Sequence, residues 1–145
     1  MADTRVQLEV EDWVRKHWMP SEYGKKFRRE RLTLRSGGKF DFDAVCTDDE
    51  IVASISTSSS MTSGGKAGSG KMMKLRSDML FLLMAEAERR IMVLTEKDMY
   101  DKCLAERDGG RVPPEIEFVL AVIPDDLREK LIKAKGESSR EVSPK

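Results

Sequence analysis

The chain opens with an apolar stripe of helical period. Val6, Val10, Trp13, Val14 and His17 recur at intervals of three and four, which predicts an amphipathic helix over residues 4–18. Thr4 stands at its cap with Gln7 at the capping-box position. Pro20 is expected to end the helix or turn the chain soon after, leaving residues 19–28 as a loop with a basic end. The pattern then shifts from period 3.6 to period two. Charged residues alternate with Leu32 and Leu34 over Arg29–Arg35, and Gly37 with Gly38 signals a turn. Two further strands follow, Lys39–Cys46 and Ile51–Thr57, joined by the acidic turn Thr47–Glu50.

Side chains alternate between faces along a strand. Phe40, Phe42, Ala44 and Cys46 are therefore expected on one face, with Asp41, Asp43 and Val45 on the other. In the next strand Ile51, Ala53, Ile55 and Thr57 oppose Val52, Ser54 and Ser56. A hairpin burying its Phe/Ile face gathers Asp41, Asp43, Ser54 and Ser56 on the opposite surface. Aspartate is disfavoured in strands, so this pair points either to a role beyond folding, as an anion or metal site, or to a solvated sheet face in which Asp41 and Asp43 pair with Lys39 or Arg side chains.

Beyond a Ser/Gly-rich loop over residues 58–70, Met72, Leu75, Met79, Leu80, Leu83 and Ala87 predict a long helix over 70–90. Residues 90–95 and 115–123 read as buried strands. A helix over 96–107 lies between them, closed by Gly109 and Gly110. Pro124 fits the first turn of a last helix over 125–135. The expected fold is α/β: one domain over residues 1–135, a mixed β-sheet flanked by helices in the order α-β-β-β-α-β-α-β-α. Residues 136–145 are expected to form a flexible polar tail.

Charge narrows the function classes. The 145 residues carry 26 Lys+Arg and 26 Asp+Glu, a formal net charge of zero. That argues against a wholly basic nucleic-acid coat protein but leaves room for a local patch, such as Lys25, Lys26, Arg28 and Arg29 with Arg31 and Arg35. The longest apolar run, Met79–Ala85, is far too short to span a membrane, and no apolar signal core opens the chain. A cytoplasmic protein without a membrane partner is expected. Cys46 and Cys103 lie far apart and are expected to stay reduced. With His17 the sole histidine, a His-based metal cluster is excluded.

The segment Gly38–Val45, followed by Ile51-Val52-Ala53-Ser54-Ile55-Ser56-Thr57, resembles in this element order the core of the PD-(D/E)XK nuclease superfamily, the restriction-endonuclease-like fold. The resemblance covers most of residues 4–123. It implies that Asp43 matches the family's strand aspartate. The place of (D/E)-x-K is filled by Ser54-Ile55-Ser56, so the departure falls on the chemistry. In the family two acids hold Mg²⁺ or Mn²⁺ through oxygen ligands, and the lysine stabilises charge on the reacting oxygens. The family's first helix often supplies another Glu; here Glu9 flanks the apolar stripe and is placed to reach the same surface, with Glu11 pointing further toward solvent, and Asp41 beside Asp43 makes a thin metal site. Some members carry the missing acid or lysine on the following helix. Here Lys71, Lys74 and Asp78 share one polar face of that helix, and Lys71 or Lys74 would bring the ammonium. The implied catalytic set is Asp43, Glu9, Lys71 and Lys74, acting on DNA or RNA. The leading expectation is a nuclease-fold protein that has lost efficient cleavage but keeps an affinity for nucleic acid. One alternative is an active metal-dependent nuclease with a migrated lysine. Another is a non-enzymatic interaction or structural protein, dimerising through a sheet edge or the Met-rich helix.

A second motif lies in the loop. Gly65–Lys71 matches G-x-x-x-x-G-K, but Met72 replaces the Mg²⁺-binding Ser/Thr and no apolar strand leads into it. What remains is either a looser anion site, built from Lys66, Gly68, Ser69, Gly70 and Lys71 with Ser54 and Ser56, or a flexible Gly/Ser connection whose lysines serve solubility.

Overall fold

A computed structural model describes residues 5–60 and 69–142. The first helix, α1 (Arg5–Trp13), runs through a π-helical turn at Val14–Trp18 into α2 (Met19–Tyr23). Strands β1 (Phe27–Thr33), β2 (Lys39–Cys46) and β3 (Ile51–Ser56) follow, then α3 (Ser69–Met84), β4 (Arg89–Leu94), α4 (Lys97–Asp108), β5 (Ile116–Leu120) and α5 (Asp125–Val142). The five strands form one mixed sheet in the order β1-β2-β3-β4-β5. β1, β2 and β3 pair antiparallel, while β4 and β5 run parallel to β3. Among the described residues no helix is long and apolar enough to cross a membrane.

Helices cover both faces of this sheet. Val10 and Val14 of the first helix and Leu127 and Leu131 of α5 pack with Ala53, Ile55, Ile91 and Val93 on one face. Leu75 and Leu82 of α3 and Met99 and Cys103 of α4 pack with Val52, Met92, Leu94 and Phe118 on the other. β3 and β4 are apolar on both sides for this reason.

Three expectations need correcting. Pro20 does not end the first helix. It falls in the first turn of α2, just after the π turn, where a missing N–H costs little; the helical run ends instead at Gly24, whose φ of 68° is the left-handed cap. The helix expected over 70–90 stops at Met84. Its last carbonyls are taken by two guanidiniums, Arg90 bonding Leu82 O (2.9 Å) and Ala85 O (2.7 Å) and Arg35 bonding Leu83 O (2.7 Å). The last helix, expected to stop near Lys135, continues to Val142.

The expected sharing of faces along β2 also fails, and this failure shapes the site. Glu30 pairs with Phe42 and Arg28 with Val45, so two residues of β2, Asp43 and Ala44, stand opposite Arg29 alone. This is a β-bulge. It sends Phe42 to the α3 face and Ala44 and Cys46 to the α1 face, so the Phe and Ile side chains do not share one side. On the far side of β2, pairing with β3 covers only Ala44↔Ala53 and Val45↔Val52. Beyond Ala44 the two strands part.

Candidate functional site at the parting of two strands

Asp43 sits where the strands part and is paired in neither ladder. Its side chain does what a backbone carbonyl would otherwise do: Oδ2 accepts the Ile55 N–H at 2.9 Å. Its own carbonyl accepts from Arg15 Nη1 at 3.0 Å. The bulge frees this peptide from the ladder, and two side-chain bonds hold it in place.

Glu11 and Asp78 approach Asp43 electrostatically, from the two opposite helical layers, and Lys74 interacts with both of them. Glu11 of α1 is half-buried. Burial lifts its carboxyl above the ordinary 4.5 and the Asp43 charge adds to this, against the opposing pull of Arg15, Arg29 and Lys74. Asp78 of α3 has a side chain 19% exposed. Burial lifts it above the ordinary 3.8; Lys74 opposes the shift and Asp43 reinforces it. Lys74 lies 3.5 Å from Asp78 Oδ2 with its side chain 74% exposed. Glu11, Asp43, Asp78 and Lys74 thus form one cluster, with Arg15 and Arg29 at its border.

Glu9, the acid expected from the first helix, points elsewhere. Its carboxylate pairs with Lys130 of α5 at 3.2 Å. Residues two apart on a helix differ by about 200° in direction, so the helix that turns Glu9 to α5 brings Glu11 to Asp43. Asp41 is also committed elsewhere. It is the register partner of Arg31, whose guanidinium binds both of its oxygens at 2.8 and 3.2 Å and holds the carboxyl below its ordinary value. Ser54 is 3% exposed, in register with Met92 on the α3 side. Ser56 Oγ accepts the Ser58 N–H at 3.2 Å. β3 therefore offers no acid and no cation, and α3 brings both.

The expected lysine pair divides. Lys74 joins the Asp43 cluster, whereas Lys71, one turn earlier, faces Lys135, Asp98 and Glu96; burial is the main cause lowering its pKa. Lys66 and Gly68 of the looser anion site lie outside the described residues; Ser69 and Gly70 open α3.

A second acidic cluster surrounds the ends of β3 and β4. Glu96 accepts from Arg128 Nη1 at 2.6 Å, Lys135 Nζ at 3.2 Å and Thr95 Oγ1 at 2.9 Å. Arg128 also donates to Thr95 O at 2.7 Å, and Lys135 to Thr57 O at 2.7 Å. Asp98 accepts from Ser59 Oγ at 2.5 Å, and from Ser60 N and Oγ at 3.1 and 3.0 Å. Beside this knot lies a cleft of about 370 Å³ whose lining includes Thr95, Lys97, Ala121, Ile123, Asp125 and Arg128.

Among the described residues no group of three or more His, Cys, Asp or Glu is placed to hold a metal ion. Mg²⁺ does not require such a group, since it keeps several waters and takes one or two carboxylates plus substrate phosphates. Asp43 offers hard oxygens, one of them fixed by a backbone N–H, and the two neighbouring carboxyls, Glu11 and Asp78, are raised by burial and by the Asp43 charge. The two cysteines are free and buried, and burial pushes the Cys103 thiol up to about 11, so neither is a nucleophile. Comparison with protein-family models, with curated proteins and with solved structures finds no match.

Proposed function

We propose that this chain is a restriction-endonuclease-like nuclease domain that hydrolyses phosphodiesters of nucleic acid at the Asp43 cluster. The acid and the cation missing from β3 are supplied by Asp78 and Lys74 of α3. The observation that carries this reading is the approach of Glu11, Asp43, Asp78 and Lys74 to the one place where β2 and β3 part.

The residues divide the work. Asp43, fixed through Oδ2, and Glu11 would hold a divalent Mg²⁺ or Mn²⁺ ion. Such an ion, when bound, polarises the scissile phosphate and activates a water. Lys74, exposed and only loosely tied to Asp78, places an ammonium against the charged phosphate oxygens. Asp78, with its proton affinity raised by burial, takes a proton more readily than an ordinary carboxylate and suits the role of base. Arg29, exposed opposite the bulge, meets the neighbouring backbone phosphate.

The test is incubation of the purified chain with single- and double-stranded DNA and with RNA, with Mn²⁺ or Mg²⁺ added. Metal-dependent cutting is expected, lost in Asp43→Ala and sharply reduced in Lys74→Ala. Absence of cutting, together with no heat on Mn²⁺ titration, would overturn it. A second reading, a member that binds nucleic acid without cutting it, is favoured by the burial of Ser54 and by the Lys74–Asp78 ion pair. It predicts salt-dependent nucleic-acid binding that survives Asp43→Ala.

A further inference from the structure

Two departures from regular backbone meet at a single hydrogen bond. The first is the π turn. Met19 N–H bonds Val14 O, five residues back rather than four, so the turn holds one residue more than an α-helical turn. Arg15 lies inside it and is 9% exposed, the only arginine among the buried residues that the structure describes. The second departure is the bulge in β2, at Asp43, which has no register partner in either ladder. Arg15 Nη1 donates to the Asp43 carbonyl at 3.0 Å while Nη2 bonds Asp12 Oδ1 at 3.1 Å.

We propose that Arg15 is a positioning residue for Asp43. The π turn delivers its guanidinium to the carbonyl that the bulge exposes, and this bond fixes the peptide from which the Asp43 carboxylate reaches Ile55 N–H. A buried guanidinium is costly to desolvate and is retained where its donors are used. Here one arm satisfies an orphaned backbone acceptor and the other is neutralised by Asp12. Helix, bulge and carboxylate thus form one chain of contacts: Asp12 to Arg15, Arg15 to Asp43 O, Asp43 Oδ2 to Ile55 N. The functional meaning of this inference rests on the reading of Asp43 as the centre of the site, but the chain of contacts can be tested without any activity.

The reporter is the Ile55 backbone amide, whose acceptor is the Asp43 carboxylate and not a strand carbonyl. Hydrogen exchange is followed by NMR on the whole chain. Asp43→Ala sets the scale for loss of the bond. In Arg15→Ala, exchange at Ile55 is expected to accelerate about tenfold, while the amides of Ile91 and Val93 keep their protection. A general loss of stability would raise all three together. Asp12→Ala, which removes the neutralising partner but not the carbonyl bond, is expected to leave Ile55 nearly unchanged. If Arg15→Ala does not fold, Arg15→Lys is read at the same amide; its shorter single donor group is expected to give a smaller acceleration confined to Ile55. Wild-type exchange at Ile55 in the folded Arg15 variant, with acceleration in Asp43→Ala, overturns the inference. If the Ile55 effect appears and nucleic acid is not cut, the nuclease reading falls and the positioning role stands. If cutting is present and Ile55 is indifferent to Arg15, only the positioning role falls.

Discussion

Two half-buried acidic clusters flank the N-terminal half of α3, and they are electrostatic opposites. At the end of β4, Glu96 has a side chain 13% exposed. Burial alone would raise its pKa. The Arg128 and Thr95 hydrogen bonds and the Lys135 charge outweigh that, and hold it below the ordinary 4.5. At the parting of β2 and β3, Glu11 and Asp78 are buried to a similar degree and shifted the other way. Burial is the same cause in both places; what differs is the count of donors. The Glu96 cluster is closed on itself and staples α5 to the sheet. In the Asp43 cluster the nearby cations do not outweigh burial and the Asp43 charge, so the carboxyls of Glu11 and Asp78 stay raised.

The sharpest way to break this comparison is Asp43→Ala. Loss of metal-dependent cleavage by about 100-fold or more is expected, with the fold retained by circular dichroism. Cleavage that persists would make the two clusters equivalent scaffolding.

Arg128→Ala tests the other side. It leaves Glu96 largely buried with Lys135 as its remaining cationic partner, and should lower unfolding free energy by about 1–3 kcal/mol in chemical denaturation. Glu11→Gln removes a repelled carboxylate and should leave stability unchanged or slightly higher. A large loss on Glu11→Gln, or none on Arg128→Ala, would reverse the assignment of staple and site.

Acid titration separates the clusters by sign. Glu11 and Asp78 bind protons more tightly folded than unfolded, so their contribution is present below the ordinary values of 4.5 and 3.8 and is lost as pH rises through the raised ones. Glu96 and Asp98 are lowered, so theirs is present above 4.5 and 3.8 and is lost as pH falls through the lowered values. Denaturation midpoints measured from about pH 3 to 7 should show Glu11→Gln flattening the decline toward neutral pH, and Glu96→Gln flattening the decline toward acid. The smallest effect belongs to the exposed Glu9–Lys130 pair. Glu9→Ala should change stability by less than about 0.5 kcal/mol and leave cleavage intact, whereas equal losses of cleavage in Glu9→Ala and Glu11→Gln would return Glu9 to the site.

Much of the sheet is legible from local pattern. The bounds of β2 and β3, the apolar character of β4 and β5, and a mixed sheet flanked by helices follow from periods of two and 3.6 and from runs buried on both faces. Asp43 is legible too, as a charge in a segment that otherwise favours a buried strand. The choice between Glu9 and Glu11 is not, because both flank the same apolar stripe and only the docking of α5 against α1 decides which one meets Lys130. The division of Lys71 from Lys74 depends likewise on where α5 and α1 come to rest beside α3.

The sequence by itself determined which segments could be strands or helices, since hydrophobic periodicity is a property of neighbours along the chain. Only the tertiary structure decided the site. A bulge in the pairing of β2 with β1 puts Phe42 and Ala44 on opposite faces, and Arg15, within the π turn, reaches the Asp43 carbonyl. Neither departure changes composition or period enough to be read from the chain: the bulge shows only in the pairing of β2 with β1, and the π turn only in the Met19–Val14 hydrogen bond.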